Sequence, residues 1–247
     1  MTRFCDILPK TTILMEQNMK KTIASVVTAL FLVGCADGGS THNAGKHYEY
    51  NFAVDTQGWS GGFADYDRDL ASSSTLQFSH STLPVPLDTS KGAVRISGNN
   101  QGNELFMFMK SRIGSLEANA TYKVSFNVEF ASDIADLNGS TGSRGLMKAG
   151  AITFEPKAVL DGVGYYRMNI DKGDQFSGGA DMSAIGTLSN GTPNETYALK
   201  TVGTSSSVSV RADENGSAWV ILGIDTGFEG TTTIYYNHVT VDLEKEE

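Results

Sequence analysis

Cysteine is nearly missing from this chain. Its 247 residues hold two, Cys5 and Cys35, which is too few for a disulfide framework or a paired-cysteine zinc motif. Histidine is also scarce. His42, His47, His80 and His238 are the whole supply, and none stands with cysteines in the spacing of a zinc site. No Walker phosphate loop occurs. Basic residues number 19 against 28 acids, a net charge of −9. That balance argues against nucleic acid as a partner and against charge-driven binding to anionic lipid. No convincing amphipathic helix, internal repeat or apolar run of membrane-spanning length (about 20 residues) is present.

What the chain does have begins at Met19. Lys20 and Lys21 are followed by Thr22 to Phe31, a mostly apolar run, and then by Leu32-Val33-Gly34-Cys35. Charge, short apolar run, small residue and cut is the order of a secretory signal. The last four residues resemble the lipobox of bacterial lipoproteins. The resemblance implies a lipidated Cys35 as the first mature residue, with three acyl chains as membrane anchor. More than one chain is what makes such anchoring stable. The reading divides the chain into 1–18, an upstream extension from a mis-assigned start; 19–34, the signal peptide; 35–46, a lipidated tether; 47–243, a β-sandwich; and 244–247, a charged tail expected to fray. Ala36 follows the lipidated position. Aspartate there is an inner-membrane retention signal in some bacteria, so by resemblance the chain belongs in the cell envelope, at the outer membrane.

The segment 1–34 carries four bases (Arg3, Lys10, Lys20, Lys21) and two acids (Asp6, Glu16). The remaining 213 residues therefore carry −11, within the size of one all-β domain. The tether is rich in Gly, Ser and Asn, hence flexible, and its 11 residues from Ala36 to Lys46 could extend about 36 Å at ~3.3 Å per residue.

Beyond the tether the pattern is β. Tyr122, Val124, Phe126, Val128 and Phe130 alternate with Lys123, Ser125, Asn127 and Glu129, so one face is buried and one wet. Further strands are expected at 48–54, 76–80, 93–97, 104–110, 148–154, 165–170, 207–211, 218–224 and 232–243. Asp213-Glu214-Asn215-Gly216 is expected to close a hairpin between the 207–211 and 218–224 strands, because Asn-Gly accepts positive φ. Many short strands without a repeat make a β-sandwich, most often a jelly roll.

Candidate site residues concentrate in Gln57 to Asp69. Trp59, Phe63 and Tyr66 lie among small residues, with Asp65, Asp67 and Asp69 close by. Aromatic faces stack on sugars, and Asp, Asn and Gln bond their hydroxyls. Trp59 reads better as core, whereas Tyr66, with Asp65 and Asp67, sits in polar surroundings suited to a ligand. Asn99 and Asn100 belong to an amide-rich loop of the same character. The alternating acids suit calcium in part, but this segment lacks the Gly and bidentate Glu of an EF-hand loop. Two carboxylates would suffice for a glycosidase, and 26 acids follow Gly34, so that chemistry remains open.

Phe52 with Gly58-Trp59, the segment Asn119 to Phe126, and the terminal Thr232 to Val239 together resemble galactose-binding-like jelly rolls, many of them carbohydrate-binding modules. Gly58 to Tyr66 with Asp225 to Thr232 is similar to an uncharacterised family of exported bacterial proteins. The jelly-roll resemblance implies a structural calcium near the first and last strands. Ala53 and Asn237 stand where that pattern carries Glu and Asp, which leaves Glu49, Asp55 and Asn237 as candidate donors. The expectation is an all-β, single jelly-roll β-sandwich that is envelope-anchored, non-catalytic and carbohydrate-binding, with no cofactor beyond that calcium. A structural or protein-interaction lipoprotein and a small glycan- or ester-hydrolysing enzyme are the alternatives.

Overall fold

The structure is a computed structural model that describes residues 45–102, 104–136, 145–205, 208–227 and 229–247. The extension, the signal peptide, Cys35 and the tether through residue 44 lie outside the described residues, as do Asn103, Ser207 and Phe228. Along the chain run β1 (Lys46–Asn51), β2 (Ser60–Ala64), β3 (Tyr66–Asp67), β4 (Gln77–Thr82), β5 (Gly92–Asn100), β6 (Phe106–Ile113), β7 (Thr121–Ser132) and β8 (Leu146–Ile152). Then come β9 (Ala158–Leu160), β10 (Tyr165–Met168), β11 (Met182–Thr187), β12 (Ala198–Gly203), β13 (Val208–Arg211), β14 (Ala218–Asp225) and β15 (Gly230–Lys245). A 3₁₀ turn at Arg68–Leu70 is the only helical element among the described residues.

Two antiparallel sheets carry the fold. The larger has the order β12-β7-β15-β5-β4, with β1 added on β15 and β13 on β7. The second has the order β11-β8-β14-β6-β2, and a small third sheet has the order β3-β10-β9. The chain crosses between the large sheets at β1–β2, β5–β6, β6–β7, β7–β8, β11–β12, β13–β14 and β14–β15, giving a jelly-roll sandwich.

Strand β7 is central and carries the alternation seen in the sequence. Val124, Phe126, Val128 and Phe130 are buried while Lys123, Ser125 and Asn127 are exposed. They meet Met107, Met109, Met147, Leu222 and Ile224 of the second sheet in one core. In β15 the inward set shifts phase. Ile234 and Tyr236 point in, a bulge falls at Asn237, and then Val239, Val241 and Leu243 point in. One extra residue moves the side-chain period by one.

The second sheet is covered on its outer face too. Phe106, Phe108, Ile152, Met182 and Ile221 form a second cluster there with Met168 and Ile170. The excursion between β8 and β11 supplies that cover. Gly223 makes it fit, because a Cβ at this position would stand 2.1 Å from the Phe106 ring. Phe106 and Phe108 lie stacked at 5.9 Å.

Three expectations need correction. Gly216 does take positive φ (+68°), and the Asp213 side chain accepts from the amides of Asn215 and Ser217. However, β13 pairs with β7 and β14 with β6 and β8. The turn therefore joins two sheets and is not a hairpin. Strands β11 and β12 were not expected, since neither segment alternates cleanly; β11 contains a bulge between Ala184 and Gly186. The charged tail is pinned at its start, with Lys245 2.6 Å from Glu117 and the Glu246 amide on the Thr121 carbonyl.

Candidate functional site

At the end of β2 the chain leaves the second sheet. Asp65 takes φ +58°, a conformation that Asp tolerates better than most residues. Its amide donates to the Tyr166 carbonyl at 2.6 Å, which starts the small β3–β10 ladder. Tyr66 faces Tyr166 across that ladder, the rings stacked 5.0 Å apart. Tyr165 lies beneath the Arg167 guanidinium at 4.8 Å.

A chain of alternating charges runs under this corner. Lys148 and Asp225 are fully buried and 2.9 Å apart. Both face outward from the second sheet, under the excursion. Asp225 also holds Lys172 at 2.7 Å, and Lys172 holds Asp65 at 2.9 Å. Arg167 continues the chain to Asp65 at 3.6 Å and Glu104 at 3.0 Å. Lys148 also donates to the carbonyls of Lys172 and Asp174. Burial is the largest influence on both lysines. It pulls Lys148 below its ordinary value, whereas for Lys172 the carboxylates of Asp225 and Asp65 outweigh it and the net shift is upward.

Two adjoining recesses open above this chain and share Asp65, Gly102, Glu104 and Arg167. One, of about 650 Å³, is walled by Arg167 to Phe176 and floored by Asp225. The other, of about 390 Å³, is lined by Tyr66, Asp67, Asn99, Asn100, Gln101 and Tyr165. Together they make a groove within the size range of small-ligand sites. Burial lifts the Tyr66 phenol above its ordinary value. The acids of the rim are held ionised. The amides of Ala180 and Gly173 lower Asp171, that of Phe176 lowers Asp174, and that of Tyr165 lowers Asp161.

The structure brings all five sequence-derived ligand candidates to one recess: Asp65, Tyr66, Asp67, Asn99 and Asn100. Four already have structural work, Asp65 in its ion pairs with Lys172 and Arg167 and Asn99 in donating from its side chain to the Ser73 carbonyl. The Asp67 carboxylate accepts the Asp69 amide. Buried Asn100 donates to Thr226 and accepts from Gly102 and Leu105, stitching the β5–β6 loop to the end of β14. Trp59 is core, 2% exposed and edge-on to Tyr50 and Phe52. The sequence reading missed Glu104, Arg167, Lys172 and Phe176. Glu104 and Arg167 fall inside the strands expected at 104–110 and 165–170, while Lys172 and Phe176 lie outside every expected strand and candidate segment.

The three candidate calcium donors have separate partners. Glu49 pairs with His238 at 2.8 Å, Asp55 accepts the Gln57 amide, and Asn237 donates to Glu129. Among the described residues no group of three or more His, Cys, Asp or Glu is placed to hold a metal. Calcium takes six to eight oxygens, and these residues do not assemble such a set. The sequence also spells Gly58-Trp59-Ser60-Gly61-Gly62, the pattern of a nucleophile elbow. That motif needs a strand-to-helix turn and a base. Here Ser60 opens β2 opposite Lys110, and His47, His80 and His238 bond to Asp242, the Phe52 carbonyl and Glu49.

No protein-family model matches this chain, and no curated protein does. Solved structures do. The CBM22-1 xylan-binding domain of Paenibacillus barcinonensis Xyn10C is 11% identical over 83% of this chain and 99% of its own, with a TM-score of 0.38. The mannan-recognising module TmCBM27 is 10% identical over 83% and 99%, at 0.37. The K1 cleaved adhesin domain of Lys-gingipain from Porphyromonas gingivalis W83 is 10% identical over 82% and 99%, at 0.35. Likenesses this distant assign neither ligand nor activity to the chain.

Proposed function

We propose that this chain is an exported, lipid-anchored, non-catalytic binding protein whose β-sandwich takes carbohydrate in the Tyr66–Phe176 groove. The observation that carries the reading is the groove's composition, aromatic rings beside carboxylates fixed in place by backbone amides and ion pairs. Rings offer stacking area for the C–H faces of sugars. Fixed acceptors bond hydroxyls without an ordering cost at the moment of binding. The acids also suit binding better than hydrolysis. A glycosidase needs one carboxyl raised to act as proton donor, whereas Asp161, Asp171 and Asp174 are lowered, and Asp65 and Glu104 are committed to cations.

A glycan array probed with the full chain tests the ligand class. Binding that Tyr66→Phe or Phe176→Ala weakens supports the reading. Turnover of a glycoside or ester without any binding hit would replace it with an enzyme. The anchor is tested separately, by labelling cells with a palmitate analogue. Wild type should incorporate the label and Cys35→Ala should not; equal labelling removes the lipid anchor from the proposal.

A further inference from the structure

The groove's charge and hydrogen-bond inventory narrows the ligand further. Its lining carries six carboxylates, Asp65, Asp67, Glu104, Asp171, Asp174 and Asp225, against two cations, Arg167 and Lys172. The net charge is −4, or −3 with Lys148 beneath the floor. Neither cation is free to greet an anionic ligand. Lys172 is spent on Asp65 and Asp225, and Arg167 on Glu104 and Asp65. Acceptors, by contrast, are in surplus. Asp225 lines the cleft, is fully buried, and keeps one carboxylate oxygen, Oδ1, without a hydrogen-bond partner. An unsatisfied buried acceptor marks a place where a donor is wanted.

The apolar part of the wall has the same preference. Phe176 stands at the lip of the larger recess, 61% exposed. An aromatic face attracts cations as well as C–H groups. Aromatic rings beside fixed carboxylates, with the local cations already paired, form a receptor for a protonated amine carried on an apolar-faced ring.

We infer that the groove selects glycans bearing free, protonated amino groups over their acetylated or neutral counterparts, and that it rejects uronates. The inference rests on the carbohydrate-binding reading above and names the class of sugar. A carboxylate ligand would meet like charge with no spare guanidinium or ammonium to offset it, and like-charge juxtaposition is costly in a shielded site.

The test uses the full chain in detergent against three oligosaccharides of equal length, in mildly acidic buffer where sugar amines are protonated. They are glucosamine, N-acetylglucosamine and galacturonate oligomers. The glucosamine oligomer should bind about tenfold or more tightly than the acetylated one, which is ~1.4 kcal/mol, and galacturonate should not bind. An acidic protein attracts any polycation, so two variants separate the groove from the general surface. Phe176→Ala, which leaves the charge unchanged, should lower glucosamine binding about tenfold. Glu104→Gln should reduce the preference for the amine, while Glu214→Gln, the same charge change on the Asp213 turn, should not. Equal binding of amine and acetamide, preference for galacturonate, or indifference to Phe176→Ala would each overturn the selectivity and leave the carbohydrate reading standing. Absence of binding in all three arms and on the glycan array would overturn both.

Discussion

Lys148 and Asp225 meet diagonally across neighbouring strands of the second sheet, 2.9 Å apart, and neither reaches solvent. A carboxylate shared by two ammonium groups in this position is worth little more than well-packed apolar residues, but breaking it is expensive. Asp225→Ala, which strands Lys148 and leaves Lys172 with Asp65 alone, should cost about 3–5 kcal/mol in chemical denaturation. The double change Asp225→Leu with Lys148→Met should cost far less. Equal losses for the two variants would show that volume, not charge pairing, governs the site.

Phe126 and Asn127 are adjacent in β7 but lie on opposite faces, one 3% exposed and one open to solvent. Phe126→Ala should remove about 3–5 kcal/mol, a large share of a typical domain stability of ~5–15 kcal/mol. Asn127→Ala should shift the melting temperature little. Similar losses would contradict the register.

Gly223 leaves room for the Phe106 ring on the covered face of the second sheet. Gly223→Ala should therefore overpack that face and cost about 1–3 kcal/mol, despite the better strand propensity of alanine. An unchanged denaturation midpoint would mean that the cover of the second sheet yields freely.

Acid should loosen the groove rim before the rest. Folding lowers the carboxyls of Asp161, Asp171 and Asp174 from the ordinary 3.8, chiefly because backbone amides donate to them. Their contribution is complete above that value and is lost as pH falls through the lowered ones. Hydrogen exchange of the Gly173, Phe176 and Ala180 amides should rise below about pH 4 relative to the β7 amides. Uniform protection down to global unfolding would count against the rim as a separate unit.

The sandwich was legible because alternation in β7 and the apolar runs of β6, β14 and β15 report burial directly. Candidate ligand residues were legible as far as they were local. Asp65 to Asp67 and Asn99-Asn100 announce themselves as polar loops, and the fold brings them to one recess. Arg167, Lys172 and Glu104 did not announce themselves. Their role comes from pairings with residues distant in the chain, such as Arg167 with Glu104 and Lys172 with Asp225, and no local period encodes those. Lys148 was legible only as a strand residue. Its outward position reads as solvent-facing until the excursion between β8 and β11 is seen to cover it.

Strand β15 hydrogen-bonds to β1, β5 and β7, so the larger sheet is assembled around the last strand in the chain. Asn100 waits for Gly230, a partner 130 residues further along. The pairs β4–β5 and β12–β7–β13 use no part of that strand, but it alone joins them into one sheet. Closing such long loops slows folding. The larger sheet becomes continuous only when β15 arrives.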